Sequence, residues 1–160
     1  MSAARFDIDA LPLFPLHAVL FPGGLLRLKV FEPRYLDLIS RCLRDDETFG
    51  VVCLRQGAEV REPVGAEPVR FERVGVLARL QSVDAERPGI LELSCVGTQR
   101  FQISSPRQQR DGLWLADAVR LDEDPATAPV DGLARTVDAL SKAIESLQFR
   151  GQRPFLEPYR

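Results

Sequence analysis

Histidine, lysine, methionine and tryptophan are all scarce in this chain. Its 160 residues hold one His, one Met, one Trp and three Cys, and Lys29 and Lys142 are the only lysines. With His17 alone, any Ser-His-Asp or Cys-His arrangement has a single choice of base. His17 lies in an apolar stretch beside a proline-rich run, with no nucleophile paired to it, so a structural or surface role is expected. Cys42, Cys53 and Cys95 are far apart and odd in number. They suggest neither a disulfide framework nor a CxxC metal site and read as small buried apolar residues. No metal or other cofactor is expected. No apolar run reaches the length of a membrane span. The start, MSAARFDIDA, lacks a basic segment followed by an apolar one, so no signal peptide is read and a cytosolic location is expected. A net charge of −2 and a pI near 5.5 argue against a nucleic-acid partner, which needs a dense basic face.

What is present is an ordinary globular composition, 45% hydrophobic and 28% charged, in a chain long enough for one compact core. The most informative stretch is Leu11 to Tyr35, LPLFPLHAVLFPGGLLRLKVFEPRY. Pro12 and Pro15 confine its first strand to an edge or a short length. Pro22-Gly23-Gly24 makes a tight turn, because Pro presets φ and Gly accepts a positive one. In LLRLKVF, Leu26, Leu28 and Val30 alternate with Arg27 and Lys29, the pattern of a half-buried strand. Glu32-Pro33 ends that strand and opens a helix.

Residues 1 to 9 read as a loose arm or short edge strand. A helix is predicted over Glu32 to Arg44, with Tyr35, Leu36, Ile39, Cys42 and Leu43 as its apolar stripe and Arg34, Asp37, Arg41 and Arg44 away from it. Asp45-Asp46-Glu47 stops it, and Thr48 to Leu54 reads as a buried strand. Residues 55 to 68, with two glycines and two prolines, form a surface loop. Val69 to Val83 is a long strand interrupted at Gly75, where a bulge or close backbone approach is expected. Asp84 to Gly89 is a turn and Ile90 to Val96 the return strand. After a kink at Gly97, Thr98 to Ser104 continues it. Ser105 to Gly112 is a loop and Leu113 to Leu121 the last strand. Such strands, with one early helix and glycine kinks, imply a curled, mainly antiparallel sheet. Asp122 to Pro129 is a linker by composition. Val130, Leu133, Val137, Leu140, Ile144 and Leu147 then make one narrow stripe on a helix that Gly151 ends. That stripe needs a partner: the barrel, a second copy or further helices.

Taken together, these residues carry a resemblance. Leu11-Pro12-Leu13, Pro15-Leu16, Phe21-Pro22-Gly23 and the strand and helix after them resemble the start of the N-terminal, substrate-binding domain of Lon proteases. The likeness continues in Val74-Gly75-Val76-Leu77-Ala78 and in Cys95-Val96-Gly97-Thr98-Gln99-Arg100-Phe101-Gln102-Ile103, covering about residues 11 to 121 in order. It implies an α+β, mainly β fold: a PUA-like antiparallel pseudobarrel over residues 1–122, followed over 123–160 by a linker and the start of a C-terminal helical region. It also implies a stand-alone, non-catalytic module that binds unfolded or exposed polypeptide, and leaves open whether it serves a protease in trans.

The chemistry of a whole Lon protease is not encoded here. No GxxxxGK[ST] loop occurs, and Ser141-Lys142 are helix neighbours about 100° apart, unable to form a dyad by themselves. Asp45, Asp46, Glu47 and Asp122, Glu123, Asp124 read as solvated loops. Leu20, Phe21, Phe31, Tyr35, Phe101 and Trp114 are the large apolar residues near strand ends or kinks, mostly core, any of which can line a partner groove. An extended peptide can also add to a free sheet edge. The second reading is an RNA-binding barrel with Arg100, Arg107 and Arg110 as a basic strip, resting on fold analogy. A small peptidase using His17 is the third.

Overall fold

A computed structural model describes residues 7–62 and 64–153. The chain runs β1 (Asp7–Leu16), β2 (Leu25–Val30), α1 (Pro33–Asp45), β3 (Phe49–Gln56), β4 (Arg70–Arg87), β5 (Ile90–Gln108), β6 (Trp114–Arg120) and α2 (Ala134–Phe149). The six strands are ordered β2-β5-β4-β3-β1-β6, and β5 also pairs with β6. That extra pairing closes β1, β3, β4, β5 and β6 into a ring, with β2 added outside it along β5. The expected mainly β pseudobarrel is therefore the fold. One pair departs from the antiparallel expectation: β1 and β3 run parallel, Leu13 opposite Gly50 and Leu16 opposite Cys53. The connection between them carries β2 and α1, long enough to bring the chain back to the end from which β1 started.

Alternation along the strands divides the core in two. Leu11 and Leu13, Val52, Leu77, Phe101 and Ile103, and Ala116 and Ala118 fill the barrel interior. The opposite faces, among them Phe14, Phe49, Val51, Val76 and Cys95, pack against Tyr35, Leu38, Ile39 and Cys42 of α1. Pro33 opens α1 at its first turn as expected, after Glu32 in extended geometry. The buried stripe is rotated from the predicted one. Leu38 and Arg34 are buried, whereas Leu43 is exposed.

Gly75 and Gly97 are sites of close approach. A Cβ on Gly75 would collide with the Val51 carbonyl oxygen and the Phe101 ring, and one on Gly97 with the Phe21 carbonyl oxygen. The Gly23 N–H donates to the Gly97 carbonyl (2.8 Å) and the Gly97 N–H to the Gly24 carbonyl (2.9 Å), so the turn before β2 is bonded flat onto β5. The strands outrun their predicted ends. β4 continues to Arg87 and turns through Pro88-Gly89, and β5 reaches Gln108. Residues 84–89 are polar, but a two-stranded ribbon keeps its backbone ladder whatever its side chains.

Residues 121–133 have no helix or strand. α2 ends as expected at Gly151, whose N–H donates to Gln148 O while Gln152 N–H donates to Leu147 O. No residue of α2 is buried, and Val137 and Leu140 of its stripe are exposed. The arm expected over residues 1–9 lies outside the described residues as far as residue 6; β1 begins at Asp7.

Candidate functional site

Strand directions gather the C-terminal ends of β1, β3 and β5 and the N-terminal ends of β4 and β6 at one mouth of the barrel. Two depressions lie there and share Val69 and Trp114. One, about 580 Å³, runs beneath residues 58–69 with Tyr35 and Trp114 in its wall and Glu59, Glu62 and Glu67 around it. The other, about 520 Å³, is lined by Phe71, Ile103 and Trp114 together with Arg55, Arg70 and Arg73. Phe71 and Trp114 meet edge to face, with centroids 5.3 Å apart.

Arg34 fastens this mouth. It is 6% exposed. Its Nη1 donates to the Gly112 carbonyl (2.7 Å) and its Nη2 to Glu32 Oε1 and the Glu59 carbonyl (both 3.3 Å). Its guanidinium lies 4.6 Å from the Tyr35 ring centroid. The Arg61 N–H donates to Glu32 Oε2 (3.2 Å), and the His17 N–H donates to Glu59 Oε1 (2.6 Å). One buried cation thus ties the N-terminus of α1 to the 57–69 loop and the turn at 109–113.

Tyr35 stacks on Phe14, centroids 3.9 Å apart. Burial pushes its phenol up to about 12, Arg34 opposing and Glu32 and Glu59 adding to the rise. An unfolded tyrosine ionises near pH 10. The raised folded value therefore contributes stability that is complete below pH 10 and is lost as pH rises from about 10 to about 12, on the order of 2 kcal/mol. Urea unfolding at stepped alkaline pH should show that loss, and Tyr35→Phe should remove it. An equal loss in the variant would overturn the assignment.

A second surface lies on the outer wall. Val19 (62% exposed), Phe21 (65%) and Val74 (45%) are large apolar side chains open to solvent. They surround a notch of about 130 Å³ that also touches Val51, Cys53 and Gly75. The turn bonded to Gly97 fixes Phe21 there.

Of the predicted recognition residues, Leu20, Tyr35 and Phe101 are core, Trp114 is half-buried, and Phe21 and Phe31 are exposed. Two arginines of the expected basic strip are held in ion pairs. Arg100 pairs with Asp124 Oδ1 (2.6 Å) and Arg107 with Asp117 Oδ1 (3.2 Å), while Arg110 is exposed.

Comparison with known proteins decides the family. The model of the ATP-dependent protease La (LON) substrate-binding domain matches residues 10–159. The chain belongs to this family. Among its relatives, the Lon protease of Methylocella silvestris is 30% identical over 148 residues, 91% of this chain and 17% of that protein. Protein cereblon of Danio rerio is 30% identical over 121 residues, 73% of this chain and 26% of that protein. This chain therefore spans about a sixth of the length of the Lon protease it matches. The Lon N-terminal domain protein from Xanthomonas campestris has the same fold at a TM-score of 0.65 and 30% identity, covering 91% of this chain and 76% of that one.

Within this Lon substrate-binding domain the groups that the sequence offered for catalysis, His17 and the Ser141-Lys142 pair, lie on separate segments of the chain. His17 is exposed at the 57–69 loop, and Ser141 and Lys142 are exposed on α2. Cys42 and Cys95 are buried thiols, both pushed up to about 11 chiefly by burial and hence weak nucleophiles. Among the described residues, no three His, Cys, Asp or Glu side chains converge to hold a metal ion, and no helix is long and apolar enough to cross a membrane.

Proposed function

We propose that the chain is a non-catalytic polypeptide-recognition module that grips unfolded or partly exposed segments and serves a protease in trans. The observation that carries this reading is the outer-wall platform of Val19, Phe21 and Val74. Large apolar side chains clustered in water mark an interaction surface, and this one is held by hydrogen bonds to Gly97 instead of lying on a loose loop. Residues 1–122 form the recognising domain, and 123–160 a linker and helical region whose exposed stripe awaits a partner. The three free thiols support a reducing, cytosolic setting.

The test is binding of a reduced, carbamidomethylated model protein, which stays unfolded without added charge. Val19→Ser with Phe21→Ser removes two exposed side chains and leaves the Phe21 backbone in place. Affinity should fall about tenfold or more, as for loss of an aromatic anchor, while the urea midpoint stays within that of the parent. Unchanged affinity would remove the platform from the site.

A further inference from the structure

The depression at the barrel mouth has a charge pattern unlike the rest of this acidic chain. Arg55, Arg70 and Arg73 line it together with Phe71 and Trp114, and no carboxylate lines it. Arg55 is paired, its Nε 3.3 Å from Glu72 Oε1. Arg70 and Arg73 are exposed, and among the described residues neither has an ion-pair partner. The floor is firm, since Phe71 and Trp114 pack edge to face against the interior core of Leu13, Phe101 and Ile103.

We infer that this depression is a second recognition site, selective for an acidic polypeptide segment that sets an apolar residue on Trp114 and its carboxylates against Arg70 and Arg73. The inference adds a site to the polypeptide-recognition reading and relies on that reading for the class of occupant. Planar guanidiniums with free N–H groups match carboxylates in pairs. Charge complementarity at an exposed rim chiefly selects partners and speeds encounter, which suits a surface that must sort clients. A nucleic acid fits less well. The basic patch is confined to one depression, and Arg100 and Arg107 are taken by Asp124 and Asp117. The adjoining cleft, across Val69 and Trp114, is rimmed by Glu59, Glu62 and Glu67, which confine any anionic occupant to the arginine-lined depression. A short acidic segment fits within it, whereas a continuous phosphate chain has no onward path.

Trp114 is the only tryptophan in the chain, so its fluorescence reports occupancy at this place. The full chain is titrated with a short peptide carrying Asp and Glu on both sides of a central leucine, then with the same peptide bearing Asn and Gln instead. The acidic peptide should shift Trp114 emission and bind at least about tenfold more tightly than its amide twin, with affinity falling as salt rises. Arg70→Gln with Arg73→Gln should remove that preference. Arg27→Gln with Arg87→Gln, an equal charge change on exposed residues elsewhere, should keep it. Equal binding of the two peptides, or a preference that survives Arg70→Gln/Arg73→Gln, overturns the inference. So does an oligouridylate that outcompetes the acidic peptide through these arginines, which would assign the pocket to nucleic acid. If charge selectivity is absent while the carbamidomethylated protein still binds through Val19 and Phe21, this site falls and the broader reading stands.

Discussion

Phe101→Ala is expected to cost about 3–5 kcal/mol of folding stability, the range for deleting a fully buried aromatic ring. Phe101 is fully buried in the barrel interior, and its ring end fills a slot made by two glycines. A Cβ on Gly50 would stand 2.6 Å from Phe101 Cζ, and one on Gly75 would stand 2.7 Å from the same atom. The glycines differ in what else they meet. Around Gly50 the other neighbours are side-chain ends, Leu11 Cδ2 and Leu13 Cδ2, both at 3.0 Å. Against Gly75 lies the Val51 carbonyl oxygen, held in the sheet. Gly75→Ala should therefore cost at least about 3 kcal/mol, the upper range of overpacking. A shorter side chain at position 101 should not recover it. Phe101→Leu should partly rescue Gly50→Ala, so a double-mutant cycle gives coupling at 50 and 101 but little at 75 and 101. Urea midpoints with unchanged m-values are the measurement. Equal rescue at both glycines would sink the slot geometry.

Arg34→Met should cost about 3–5 kcal/mol, because it strips the partner from a mostly buried carboxylate. Glu32 has a side chain 15% exposed and faces Arg34 at 3.3 Å. The Gly112 and Glu59 carbonyls also lose their donor. Arg34→Lys should restore only part, since one ammonium cannot reach Gly112, Glu59 and Glu32 together while lying flat against Tyr35. Hydrogen exchange should show faster opening of the 57–69 loop and the 109–113 turn in both variants. A lysine variant as stable as the parent, with both segments equally protected, would show that the fork geometry is unimportant.

Much of the fold was legible in local pattern. Pro33 marked the helix start, Gly151 its counterpart at the end of α2, and Gly75 a place of close approach. At Gly97 the pattern marked a kink, and the close contact with the Phe21 carbonyl emerged only from the structure. Ring closure was not, because β5 pairs with β2, β4 and β6 at once and no periodicity records a strand that bends through three partners. Arg34 escaped for a related reason. An arginine on a helix reads as solvated, and here its acceptors are backbone carbonyls 25 and 78 positions away. The exposed Phe21 belonged to the expected recognition set. Arg70 and Arg73 did not, because their pocket is assembled from residues of β3, β4, β5 and β6 that only the closed barrel brings together.

Closure through β1 and β6 also orders events during synthesis. β1 precedes the other five strands in the chain, yet one of its two neighbours, Trp114–Arg120, is the last strand of the sheet to be made. While the chain is still emerging from the ribosome, β1 has only β3 to pair with and keeps one side bare. The nascent sheet thus keeps an unpaired strand edge until residue 120 is free, the kind of surface that invites non-native pairing during synthesis.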